Sequence, residues 1–212
     1  MKLNAKKTKM VCLSSNKNYQ IKSYIEIDGE RIESSDSLKI TGFVFGNTPT
    51  VHEHVRSIKK KFYMRVWALR NLKRSGFPLN DMVGFYTSLL RPVIEFCAAV
   101  YTSFITKQQE EELERLQKHA VNIVTVGYTS YTEACATLGI DKLSRRRETI
   151  TEKFALKAAQ NEQFSDRWFP LKKSHGYNTR AEDPFYQNKP RMERMTRGPL
   201  YKMTHMLNAL AK

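Results

Sequence analysis

Arg56, Lys60, Tyr63, Trp67, Arg70 and Arg74 follow one another at intervals of 4, 3, 4, 3 and 4 residues. On an α-helix, at ~100° per residue, that spacing gathers all six onto one stripe. Guanidinium and ammonium groups neutralise backbone phosphates and release their counterions, and an interleaved ring can stack on a base for ~1–3 kcal/mol. The chemistry open to such a stripe is therefore the holding of a nucleic-acid backbone. Residues 55–80 contain eight Lys or Arg and no acidic residue, and cations without counter-charges repel one another unless a polyanion meets them. A solvated basic face, with Tyr63 and Trp67 packed on a neighbouring helix, accounts for the same spacing without a ligand. Both readings stand at this point.

Bond-making chemistry finds less support. Two-metal nucleotidyl transfer needs several carboxylates converging on paired divalent ions. The six aspartates, Asp28, Asp36, Asp81, Asp141, Asp166 and Asp183, include no adjacent pair and fall in turns or at helix ends. Glu110, Glu111, Glu112 and Glu114 crowd the first turn of a helix, where the positive end of the dipole favours negative charge. His52 and His54 lie close in sequence, with no cysteine pair near them to complete a zinc set. No Gly-rich phosphate loop and no nucleophile–base pattern is present. The residues support binding and supply neither a catalytic group nor a cofactor or metal site.

The composition agrees. The 212 residues carry 36 Lys and Arg against 21 Asp and Glu, a net charge of +15 and a pI near 9.8, which points to a polyanionic partner. Hydrophobic residues make up 41% of the chain and argue for a packed core. Cys12, Cys97 and Cys135 are odd in number and widely spaced, as expected of reduced thiols. No run approaches the ~18–20 apolar residues of a membrane helix, and no apolar stretch follows the Lys-rich start. An intracellular protein is expected; the lysines of the first nine residues are compatible with nuclear entry and too few to prove it.

Periodicity supplies the scaffold. Residues 9–14 form a short apolar run. Residues 19–27 alternate so that Ile21, Ile25 and Ile27 share a face opposite Tyr24. Asp28-Gly29 then provides a two-residue turn that returns 31–33 antiparallel. One further strand is expected over 38–45. From about Val51 the period becomes helical, with Val55, Ile58, Phe62, Val66, Leu69 and Leu72 on the apolar side before Gly76 and Pro78. A second helix, capped by Asn80 and kinked at Pro92, should run toward Phe104. Thr106 and Gln109 have the form of a capping box for a third. Shorter helices are expected near 131–138 and 143–160, and prolines interrupt the last fifty residues. The expected fold is α+β, mainly α: a short N-terminal antiparallel β-segment over 1–46, a helical bundle over 47–160, and a basic, partly irregular tail over 161–212.

The order of these segments carries more information than any one of them. Leu3-Asn4-Ala5-Lys6-Lys7-Thr8-Lys9 is similar to the segment that closes the palm of non-LTR retrotransposon reverse transcriptases. The 25–33 hairpin followed by Leu38-Lys39-Ile40-Thr41-Gly42-Phe43 resembles the primer grip of that family. Residues 54–72, then Tyr86, Arg91-Pro92-Val93 and Ile94-Glu95-Phe96, resemble its thumb. Gln117 with Ala120, Leu143 with Arg146 and Arg147, Tyr177-Asn178-Thr179-Arg180, Pro190-Arg191 and Leu207-Asn208 continue the likeness. It covers nearly all of the chain, least securely after Gln160, and is to the jockey- and CR1-like LINE polymerases.

The resemblance implies a C-terminal palm and thumb region of an RNA-directed DNA polymerase. Lys7 would be the palm lysine that donates a proton to departing pyrophosphate in a complete enzyme. Ile40, Thr41 and Gly42 would hold the primer end, with Thr41 standing where the family has Leu. The thumb helix with Arg56, Lys60 and Arg70 would track template and primer, and Arg145, Arg146 and Arg147 could reach nucleic acid as well; a solvated helix face explains those three equally well. The expected partners are RNA, DNA or an RNA–DNA hybrid, with no membrane. The paired-aspartate turn and its Mg²⁺ would belong to fingers and palm segments upstream of Met1, which would be further partners. A truncated copy, an isolated piece or a partial gene model, which does not polymerise alone, is therefore expected. The alternative is a host-retained nucleic-acid-binding module of independent origin.

Overall fold

A computed structural model of the chain describes residues 4–12, 24–46, 50–125, 130–172, 183–187 and 196–211. The expected strand before Tyr24 and the motif residues at 177–180 and 190–191 lie outside them.

The Asp28-Gly29 signal becomes a hairpin. Both residues take positive φ, 51° and 79°, the mirror-image turn whose twist suits antiparallel strands. It joins β1 (Tyr24–Ile27) to β2 (Glu30–Glu33), with Ile27 opposite Glu30 and Tyr24 opposite Glu33. Ile25 and Tyr24 are both exposed, and the Arg31 guanidinium lies over one side of the Tyr24 ring, 3.9 Å from its centre. Residue Met10 pairs with Ser34 in a single parallel bridge, which is all that the described part of the 9–14 run contributes.

The single strand expected over 38–45 is instead two. β3 (Ser37–Ile40) and β4 (Phe43–Gly46) pair antiparallel across Thr41-Gly42, where φ is 47° and 102°. A β-branched residue seldom adopts positive φ, so Thr41 hid this turn from a reading by residue type. The hairpin matters because Phe43 is buried and stacks on the His54 ring at 4.2 Å. The packing therefore runs across the expected division at residue 46.

Helix α1 (His52–Arg74) follows the periodicity closely, with His54, Val55, Ile58, Phe62, Val66 and Leu69 buried. The second helix is more broken than expected. Helix α2 (Leu79–Phe85) begins after Pro78, and Asn80 lies inside it rather than capping it. A widened π-helical turn spans Tyr86–Leu90 and leads into α3 (Arg91–Glu95). Pro92 has no N–H to give and crowds the carbonyl four residues back, and the widened turn lies just where that accommodation is needed. Phe96 closes α3, and Cys97, at φ 59°, starts the short α4 (Ala98–Tyr101).

Helix α5 (Lys107–Val124) opens with the expected reciprocal Thr106–Gln109 capping box. Helices α6 (Tyr131–Thr137) and α7 (Leu143–Ala159) lie where the pattern placed them. The principal core joins α1 to α5 through Phe62, Leu69, Leu113, Leu116 and Ala120, with Phe43 at one end. Beyond α7 the described residues include two further helices among the prolines of the tail. Helices α8 (Glu162–Trp168) and α9 (Pro199–Leu210) follow. Phe169, Met203 and Leu207 pack on Ala99, Ala155 and Ala158 as a second core. The Asn208 side chain donates to the Phe185 carbonyl and accepts from its N–H, at 3.2 and 2.9 Å, fastening the segment 183–187 to α9.

Candidate nucleic-acid interface

With its apolar side set into the core, α1 presents the opposite side to solvent. Arg56, Lys60, Tyr63, Trp67, Arg70 and Arg74 are all exposed, Tyr63 by 53% and Trp67 by 67%. A tryptophan that filled a helix–helix contact would be covered, so the packing explanation for Trp67 does not apply.

Three of the four cations that flank this stripe, Lys59, Arg65 and Lys73, meet protein instead. Lys59 Nζ lies 2.8 Å from Glu112 Oε2 on α5, and that ammonium holds the Glu112 carboxyl below its usual range. Lys73 donates to the Thr125 carbonyl and Arg65 to that of Leu89, at 3.1 and 2.6 Å. The absence of acidic residues over 55–80 is thus partly made good from another helix. Along the stripe itself, Lys60 and Arg74 make no ion pair among the described residues. Arg56 has only a 4.0 Å approach to Glu53, an exposed pair of the kind worth ~0–1 kcal/mol. Arg70 donates from Nη2 to His119 Nε2 on α5 at 3.0 Å.

The three arginines of α7 separate. Arg145 is exposed. Arg146 grips Glu95 of α3 with Nε and Nη2 at 2.7 and 3.0 Å, a bidentate pair that raises its pKa. Arg147 is 1% exposed and donates to Glu110 Oε1 at 2.5 Å, while its Nε and Nη1 have no protein partner. Arg146 and Arg147 are therefore engaged in holding α7 to its neighbours, which leaves Arg145 as the free cation of the three. The acidic turn of α5, read as a response to the helix dipole, has specific partners: Glu110 meets Arg147, Glu112 meets Lys59, and Glu114 accepts from Tyr131 Oη at 2.5 Å.

The chain matches no family model, and no curated protein or solved structure was found to be similar to it.

The segments quoted for the resemblance meet one another. Tyr86 donates to Gln117 Oε1 at 2.6 Å, and Gln117, buried, donates in turn to Tyr131 Oη and the Asp141 carbonyl, both at 2.9 Å. Burial raises the Tyr86 pKa, as for any phenol kept from water. His54 has no well-formed hydrogen bond to either ring nitrogen. Burial is the main cause that lowers its pKa; the Phe96 backbone opposes this and Lys61 adds to it. It is a neutral core ring, and His52 beside it is exposed.

The primer-grip candidates Ile40, Thr41 and Gly42 occupy the β3–β4 turn. Ile40 is half exposed, and a Cβ on Gly42 would lie 3.0 Å from the Phe96 ring. The close approach that Gly42 permits is thus made by protein. Lys7 ends a short 3₁₀ turn, Ala5–Lys7, with its side chain exposed.

Among the described residues, no group of three or more His, Cys, Asp or Glu could hold a metal ion, and no helix is long and apolar enough to cross a membrane. One feature of the candidate surface is absent from the sequence reading: α5 borders the stripe through His119, whose ring centre lies 6.2 Å from that of Tyr63. The 3- and 4-residue steps of Glu112, Arg115 and His119 were a signal for that second face.

Proposed function

We propose that the chain is the C-terminal palm and thumb region of a non-LTR retrotransposon RNA-directed DNA polymerase, and that α1 holds template–primer nucleic acid along its exposed face. The observation that carries the binding half is the six-residue stripe itself, cations and rings in solvent on one side of a helix whose other side is core. Such a surface neutralises phosphates at Arg56, Lys60, Arg70 and Arg74 and offers Tyr63 and Trp67 to bases or sugars. What favours the family is the ordered series of motifs, together with the pairing of their residues across the bundle: Tyr86 with Gln117 and Glu95 with Arg146.

Backbone contact of this kind predicts salt-sensitive binding with little sequence preference. Anisotropy of a labelled RNA–DNA hybrid should give log Kd linear in log salt concentration, and the same protein with Mg²⁺ should incorporate no dNTP. Failure to bind, or binding indifferent to salt, would remove the α1 interface. Tight binding in high salt with strong sequence preference would favour an independent nucleic-acid-binding module. Incorporation by the pure chain would overturn the inference from its unpaired aspartates.

A further inference from the structure

We propose that the interface continues from α1 onto α5, where His119 takes up a proton and, with Arg70, closes on a phosphate of the bound strand. This rests on the α1 reading above. Arginine can only donate, so the 3.0 Å contact requires a lone pair on His119 Nε2 and places the ring proton on Nδ1. The free chain therefore holds Arg70 against a neutral imidazole, beside the exposed Tyr63 ring.

The surroundings keep it neutral. Burial lowers the His119 pKa, and Arg70 lowers it further. Tyr63 is the other titratable group of α1 that faces the ring. On its own helix Arg115 stands one turn earlier, 3.9 Å from Glu111, Lys118 is exposed, and Glu112, two turns earlier, is held by Lys59. Helix α2 also packs on α5, and its one acidic residue, Asp81, is exposed; helices α6 and α7 meet α5 through Gln117, Glu114 and Glu110. A phosphate arriving at Arg70 would supply the negative charge that these groups withhold. Protonation then makes both ring nitrogens donors, so Nε2 releases Arg70 and both cations can point at the same phosphate.

The sign follows from linkage. Binding raises the His119 pKa above its free value, so the added affinity is full below the free pKa and fades as pH rises through the bound-state pKa. Each unit of that rise corresponds to ~10-fold in affinity.

The test measures hybrid binding by anisotropy at about pH 5 and pH 8 in fixed salt, for the full chain and for His119→Gln, which keeps an acceptor near Arg70 and cannot titrate. Binding ~10-fold tighter in acid, with that gain lost in the variant, supports the proposal. Imidazole NMR titrations of the unsubstituted chain, with and without hybrid, give a second readout: the His119 resonance should titrate at higher pH when the hybrid is bound. Salt-sensitive binding with equal pH dependence in both proteins and an unmoved His119 pKa would overturn this proposal and leave the α1 reading intact. No binding at either pH would overturn both.

Discussion

Changing Arg56, Lys60, Arg70 and Arg74 together to Gln is expected to weaken hybrid binding by roughly a thousandfold at 0.1 M salt. The magnitude comes from counterion release. Each phosphate contact contributes ~0.9 to the slope of log K against log salt, so four contribute ~3–4 across the decade below 1 M. The variant's slope should fall by the same ~3–4. Because these side chains are exposed, the fold should persist; exposed substitutions usually stay within ~0.5 kcal/mol each. The matching control changes Lys142, Lys153, Lys157 and Lys202 to Gln, lysines that are equally exposed but lie on α9 and at the start and along the length of α7. If net charge alone drives binding, the two variants lose affinity equally. If α1 is the interface, the control retains most of it.

The second large effect concerns stability. Glu110→Ala should cost ~3–5 kcal/mol, because it strands the Arg147 guanidinium in the core with no counter-charge. Loss of Glu110 as a helix-dipole partner would account for only ~0.3–1 kcal/mol of that. For a chain of this size the change lowers Tm by roughly 6–20 °C. Arg147→Met behaves differently: it fills similar space and leaves behind a carboxylate that is 43% exposed and can hydrate. The Arg147 head group already leaves Nε and Nη1 without protein partners, so its removal also ends that desolvation cost. Thermal unfolding followed by circular dichroism should therefore place Arg147→Met well above Glu110→Ala. Equal losses would show that the guanidinium stabilises the bundle outright and contradict this account.

These two expectations also mark what was legible in the sequence. The α1 stripe could be read because its order depends only on helical period, and the structure keeps all six residues in solvent. The β1–β2 turn was legible for a related reason: Asp28-Gly29 is a local signal with a local outcome. So was the Thr106–Gln109 cap. What stayed hidden depends on partners far along the chain. Nothing near Arg146 announces Glu95, and nothing near Arg147 announces Glu110, yet those contacts withdraw two of three apparent surface cations. The Gly42 turn was hidden because Thr41 accepts a conformation its side chain disfavours, and the reason for the close approach, the Phe96 ring, lies elsewhere in sequence. Helix α9 was obscured by the prolines of the tail, although Pro199 merely starts it, where its missing N–H costs nothing.

Trp67 offers the most direct view of whether nucleic acid lies along α1, since it is one of only two tryptophans and projects into solvent from the middle of the stripe. In a Trp168→Phe background, emission from Trp67 should be quenched as RNA–DNA hybrid is added, saturate at the same hybrid concentration as the anisotropy, and return on adding salt. Saturable anisotropy with unchanged Trp67 emission would put the nucleic acid on some other surface.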